Sequence, residues 1–173
     1  EADDIGHAGS VERATTKATV AGVAGSPALH SATRDDRTRV VLAGSDGIVM
    51  IDDQFAPLSE KIKAALKAIS DKPVRFIINT HFHGDHVGGN ENFGGEGAII
   101  VAQDNSRMRM TGDQFIGAFN MQQKAAPYDA LPKVTFTESV TLHLNGETVQ
   151  VSHIKNAHTD GDAIIYFKES NVI

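Results

Sequence analysis

Six consecutive residues, His81-Phe82-His83-Gly84-Asp85-His86, put three imidazoles and a carboxylate on one short piece of backbone. The cluster follows Val74-Arg75-Phe76-Ile77-Ile78, an apolar run that reads as a buried strand. It therefore falls at a strand's carboxyl end, where the sites of α/β proteins usually sit. Catalytic zinc takes imidazole nitrogen and carboxylate oxygen and leaves a coordination position open. Alternate residues of an extended segment face the same way, so His81 and His83 can hold one ion together. Asp85 and His86, beyond the flexible Gly84, can turn to a second. Two metals roughly 3.5–4 Å apart are a recurring hydrolytic arrangement. Closed structural zinc sites are dominated by cysteine, and this chain has none, so catalysis is the favoured reading.

The rest of the composition is that of an ordinary globular domain. At 173 residues, 40% hydrophobic and 22% charged, the chain is long enough for one sizeable core. A formal net charge of -6 argues against a nucleic-acid footprint, and no run approaches a membrane span. The expected partner is a small-molecule substrate, not nucleic acid or a membrane. Without cysteine there are no disulfides, thiolate ligands or cysteine nucleophile. The start at Glu1 suggests a processed mature form or a fragment. A mature form would be periplasmic or secreted; otherwise a cytoplasmic location is expected.

Residues 1–35, rich in Ala, Thr, Gly and Ser, are expected to form a flexible N-terminal segment with at most a short edge strand at Val20 to Val23. His7 and His30 read there as solvated surface residues. The domain proper is placed at 36–173. Arg39 to Ala43 and Ile48 to Ile51 flank Gly44-Ser45-Asp46-Gly47 and predict a β-hairpin. It ends at Asp52-Asp53, where a carboxylate either closes the strand or hydrogen-bonds and fixes the metal loop. Leu58 to Ser70 has helical spacing, and Pro73 stops it before the strand that delivers the cluster. The order strand, helix, strand predicts a sheet covered by helices.

Beyond the cluster, Gly88-Gly89 and Gly94-Gly95 are expected to keep the backbone loose, with Ile99 to Ala102 as the next strand. Residues 104–124 show roughly helical spacing, with Met108, Phe115, Phe119 and Met121 expected as core anchors and, less favoured, as an apolar wall beside the metals. Val134 to Phe136, Val140 to Leu144 and Thr148 to Ile154 predict an antiparallel set with a turn at Asn145-Gly146. His143 and His153, within those strands, read as surface or partner-satisfied. Asn156-Ala157-His158-Thr159-Asp160-Gly161-Asp162 is again a loop after a strand, and His158 is suitably placed to complete a three-imidazole zinc site.

Thr80-His81-Phe82-His83-Gly84-Asp85-His86 together with His158-Thr159-Asp160-Gly161 resembles the metallo-β-lactamase superfamily, whose pattern is Thr-His-x-His-x-Asp-His and a later loop histidine before a Thr. Asp52 matches the family's aspartate after an early strand. The resemblance spans about Val40 to Ile173. It implies an α/β (α+β) fold of the αββα sandwich type with its C-terminal portion missing from this chain. It also implies a first zinc on His81, His83 and His158, and a second using Asp85 and His86. The bridging aspartate and last histidine of the pattern would lie beyond Ile173. Self-association or a complementary C-terminal segment is then expected to supply the remainder, and half a sandwich is expected to expose an apolar sheet face.

The implied chemistry is hydrolysis by metal-bound hydroxide attacking a carbonyl, with Asp85 binding, orienting and shuttling a proton. A β-lactam amide is the leading substrate, on the long spacing from His83 to His158. A lactone or a glyoxalase II-like thioester is the alternative, and a non-catalytic metal-binding fragment is the reading from another class.

Overall fold

A computed structural model describes residues 19–22, 29–34, 37–117 and 120–173. His7, Phe119 and most of the segment expected to be flexible lie outside them. Sequence alternation builds the main sheet. Along β3 (Arg37–Gly44) and β4 (Gly47–Ile51), Val41, Ile48 and Met50 face one side while Leu42 and Val49 face the other. In β5 (Val74–Ile78) and β6 (Ile99–Gln103), Ile77 and Ile100 are likewise opposed by Ile78 and Val101. Strands apolar on both faces belong in the middle of a three-layer structure, with a covering on each side.

Both coverings are present. On one face, α1 (Ser59–Leu66) and α3 (Asn90–Gly94) insert Leu66 and Phe93 against Val41, Ile48, Ile77 and Ile100. On the other, a small sheet of β10 (Ser139–Leu144), β11 (Glu147–His153) and β12 (Ala163–Phe167) inserts Val149, Val151, Ile165 and Phe167 against Leu42, Val49, Ile78 and Val101. Each such fully buried aliphatic or aromatic side chain is worth about 1.5–3 kcal/mol of transfer free energy. The layers helix, sheet, sheet are three of the four in an αββα sandwich.

The large sheet runs β1-β2-β3-β4-β5-β6-β9, where β1 is Thr19–Gly22, β2 is Leu29–Arg34 and β9 is Val134–Phe136. Pairing is antiparallel from β1 to β4 and parallel from β4 onward. The parallel part aligns the carboxyl ends of β4, β5 and β6 on one edge.

Several elements differ from the sequence expectations. Val134 to Phe136 joins the large sheet parallel to β6, apart from the antiparallel β10–β12. Residues 104–124 do not continue as a helix. The chain forms α4 (Asp104–Met110), then a hairpin of β7 (Gln114–Ile116) and β8 (Met121–Gln123). Met108, Phe115 and Met121 are exposed, and Met110 is the α4 residue that enters the core. The helical stripe was misleading because it spanned a turn at Thr111-Gly112. Gly88 and Gly89 serve close packing: a Cβ on Gly88 would stand 2.8 Å from the Gln54 carbonyl, and one on Gly89 would stand 2.9 Å from that of Asp53. The outer face of the small sheet carries Thr141, His143, Thr148, Gln150 and Ser152 beside Ile164 and Tyr166, so it is largely polar where an apolar face was expected. Among the described residues no helix is long and apolar enough to cross a membrane.

Candidate metal centre

Asp52 follows β4, the histidine cluster follows β5 and α4 follows β6, so the three meet at one edge of the sheet. Asp52 is buried and has a left-handed backbone, φ 56°. Its Oδ1 accepts the Thr80 amide at 2.8 Å, and its Oδ2 accepts the Thr80 hydroxyl at 2.8 Å and His86 Nδ1–H at 2.7 Å. Aspartate is one of the few residue types that tolerate this left-handed conformation. Here it points both carboxylate oxygens into the metal loop, the second of the two readings open at this position.

That network sets the tautomers. The Thr80 hydroxyl gives its hydrogen to Asp52, so it accepts from His81 Nδ1–H at 3.1 Å, which leaves His81 Nε2 with a free lone pair. His86 Nδ1–H is committed to Asp52, leaving its Nε2 3.5 Å from Asp85 Oδ2. A ligating imidazole characteristically donates its other ring N–H in this way.

The backbone is pinned from behind. Asn79 and Asn90, both fully buried, exchange side-chain amide hydrogen bonds at 3.2 and 2.9 Å, and Asn90 also donates to the Ala130 carbonyl. Asp53 accepts the Gly89 amide at 2.8 Å. Phe82 is buried with Val87, Met110 and Leu131, and its carbonyl accepts from Gln123 Nε2 at 3.1 Å. Sequence reading missed Asn79, Asn90 and Gln123, while Asp53 belongs to the strand end already singled out. The sequence shows that Asn79 and Asn90 bracket the cluster, but their burial and pairing, which give them a role, come from the tertiary structure.

The ligand atoms of His81, His83 and His158 all lie within 4.8 Å of one another. His83 Nδ1 and His158 Nε2 are 3.1 Å apart; two nitrogens on a tetrahedral zinc with bonds of 2.0–2.1 Å stand about 3.3 Å apart. Burial, then the neighbouring His86, lowers the His81 pKa to about 4. Burial, then His158, also lowers that of His83. Neutral imidazoles are what a metal requires, so the lowered pKa values of His81 and His83 suit them to it, and the three-histidine donor set fits zinc by type and spacing. Asp85 and His86 sit beside this triad, the His86 ring centroid 4.0 Å from that of His81. His143 lies apart on an exposed strand, and His153 Nε2 donates to the Asp160 carbonyl at 3.1 Å, away from the triad.

His158 arrives from the far side. Asn156, with φ 56°, turns the chain after β11, and Thr159 to Asp162 closes a tight loop. Burial of the Asp162 carboxyl opposes its ionisation, yet the Thr159 hydroxyl and amide outweigh it and hold the pKa below the usual range. The loop is stitched to the cluster by the Ala163 amide, which donates to the Thr80 carbonyl at 2.8 Å.

Around the mouth stand exposed apolar groups. Phe55 is 46% exposed, and its ring edge would lie 3.8 Å from a Cβ on Gly84, between two cluster residues. Met121 is exposed on the β7–β8 hairpin, on the same strand face as Gln123, which reaches the Phe82 carbonyl, whereas Phe115 is exposed on the opposite face.

Comparison with known proteins agrees with the fold. The sequence profile described as metallo-beta-lactamase superfamily matches residues 33–173. The chain is 35% identical over 167 residues to the linear primary-alkylsulfatase of Pseudomonas sp. (strain ATCC 19151), covering 77% of this chain and 31% of that protein. Among solved structures, the metallo-beta-lactamase with a HARLDQ motif from Cronobacter sakazakii superposes with a TM-score of 0.70 at 18% identity, over 86% of this chain and 61% of that one. A class B3 di-zinc metallo-beta-lactamase from an Alaskan soil metagenome gives 0.69 at 20% identity, over 84% and 55%. The chain thus spans about a third of the curated relative and rather more than half of these structures.

Proposed function

The chain belongs to the metallo-beta-lactamase superfamily, a superfamily of metal-dependent hydrolases, and from that premise we propose that it carries the metal-holding part of a hydrolase whose substrate is an ester of sulfate with an apolar alkyl group. The observation that carries the hydrolytic reading is the convergence of His81, His83 and His158 from two separate loops onto one point. Zinc held there would bring the pKa of a bound water toward about 7 and polarise the bond under attack. His81 and His83 would hold it as neutral imidazoles, and Asp52 orients the loop through Thr80 and His86. Asp85, its side chain 41% exposed beside His86, would take up the proton of the attacking water on a carboxylate oxygen and, with His86, would supply ligands to a second ion.

Two observations favour an alkyl sulfate. Identity to the alkylsulfatase is 35%, whereas likeness to the lactamase structures at 18–20% concerns the fold alone. Phe55, and Met121 on the hairpin face that carries Gln123, also place apolar surface beside the cluster, suited to an alkyl tail of about 0.8 kcal/mol per buried methylene. A β-lactam amide, the substrate favoured by the spacing between His83 and His158, remains the second reading, supported by the shared sandwich with class B3 lactamases.

The test is sulfate release from dodecyl sulfate and colour change of nitrocefin by the zinc-loaded protein, each with and without chelator. Chelator-sensitive sulfate release is the expected result. Nitrocefin turnover in its place would move the reading to β-lactams. Zinc bound with turnover of neither, nor of lactones or thioesters, would leave a non-catalytic metal-binding module.

A further inference from the structure

Helix α4 touches both halves of the metal centre. On one side Met110 packs with Phe82, the residue between His81 and His83. On the other, three side chains grip the loop that carries His158. Asn105 Nδ2 donates to the Asp160 carbonyl at 2.8 Å, and the buried Ser106 hydroxyl donates to the Gly161 carbonyl at 2.9 Å. Arg109 Nη2 and Nε converge on Asp160 Oδ2 at 2.8 and 3.2 Å. Asn105 and Arg109 are four residues apart and share a face of the helix. Gly161 makes the approach possible: a Cβ there would stand 2.4 Å from Ser106 Oγ and 2.7 Å from the Ser106 amide nitrogen. The helix is itself anchored, since Gln103 at the end of β6 caps the Asn105 amide and donates to the Thr137 carbonyl.

The Arg109 and Asp160 side chains are 42% and 39% exposed. Ion pairs this open contribute little to stability, about 0.2–1 kcal/mol. Their geometry is nonetheless specific, because the guanidinium fork fixes direction as well as distance. We propose that Arg109 is a positioning residue for the metal: through Asp160 it sets the distance from His158 to His81 and His83, and so sets metal affinity while contributing little to folding. Arg109 Nη1 also reaches Gln114 Oε1 at 3.4 Å, so the same side chain ties the His158 loop to the hairpin at the mouth.

The inference rests on the reading of His81, His83 and His158 as a metal site, and the experiment separates the two. Zinc affinity is measured by competition with a chelating dye for the wild type, Arg109→Met, Arg109→Lys and Asp160→Asn. Thermal unfolding is followed on the metal-free forms, and the cobalt(II)-loaded forms are examined by visible absorption. Arg109→Met and Asp160→Asn are expected to weaken zinc binding about tenfold, the lower end of the effect of outer-shell substitutions. Metal-free midpoints should fall by no more than about 2–4 °C, and the cobalt spectrum should shift as His158 withdraws. Arg109→Lys should recover only part of the loss, and the double variant Arg109→Met/Asp160→Asn should be no weaker than either single one. Zinc affinity within twofold of wild type in both Arg109→Met and Asp160→Asn would overturn the role of Arg109 and leave the site standing. A wild type that binds no zinc would overturn the site and the role together. Asp160→Asn is nearly isosteric and tests the same pair if Arg109→Met does not fold.

Discussion

The two halves of the metal centre are built on opposite principles. Residues 79–90 are enclosed: His81 is 8% exposed, Asn79 and Asn90 are fully buried, and Asp52 is spent on three hydrogen bonds into the loop. The segment 154–158 lies on the surface, and His158 is held in place by contacts that α4 makes a few residues on. In the first half the groups that orient the ligands are also part of the core, so position and stability cannot be separated. In the second half position is set by partly exposed contacts that add little to stability. One region is rigid because it is buried; the other is placed because a neighbouring helix holds it.

The comparison can be broken most sharply at Asp52. Asp52→Ala strands the Thr80 amide, the Thr80 hydroxyl and His86 Nδ1–H in a partly buried site, and is expected to cost about 3 kcal/mol in urea unfolding of the metal-free protein. A loss below about 1 kcal/mol would show that the enclosed half does not depend on this network.

Acid should act on the same half with a comparable upper limit. The His81 pKa of about 4 lies below its ordinary value of 6.5, so between those values the unfolded chain binds more protons than the folded one, and stability falls as pH falls. Full protonation would remove up to about 3 kcal/mol, and His83, shifted the same way, adds to it. Urea midpoints of metal-free protein at pH 7, 5.5 and 4.5 measure the slope, which His81→Gln should flatten. An unchanged slope in that variant would assign the acid sensitivity elsewhere.

The smallest expected effect on folding belongs to the other half. Gly161→Ala drives a methyl against the Ser106 backbone nitrogen as well as its hydroxyl, so the loop must shift, and the cost should be about 2 kcal/mol, within the range for overpacking. Zinc affinity should nevertheless fall at least as far as in Arg109→Met, as read by dye competition. A Gly161→Ala protein that unfolds early yet binds zinc normally would reverse the contrast.

Phe115 and Met121 show where sequence reading reached its limit. Their spacing from Met108 was compatible with a buried helical stripe, yet the turn at Thr111-Gly112 and the pairing of Phe115 with Gln122 place them on an exposed hairpin. A period of apolar residues reports only local geometry, and the break came from a tertiary pairing. Glycine misled in a similar way: Gly88 and Gly89 looked like loosening residues, but they are small because the Asp53–Gln54 backbone runs against them.

The histidine cluster was legible because its chemistry is local. Three imidazoles and a carboxylate in six residues after an apolar strand have few other uses, and the order strand, helix, strand foretold a sheet covered by helices, which holds on one face; the small sheet on the other face was implied only by the resemblance. His158 was recognisable as a candidate only by its loop and its motif. That it stands 3.1 Å from His83, across 75 residues of chain, is the work of the sheet edge, of α4 and of a glycine that lets two backbones touch. Sequence determines which groups can bind a metal, since that depends on side-chain chemistry and near-neighbour spacing; tertiary structure decides which of them meet, since that depends on packing between segments that are distant along the chain.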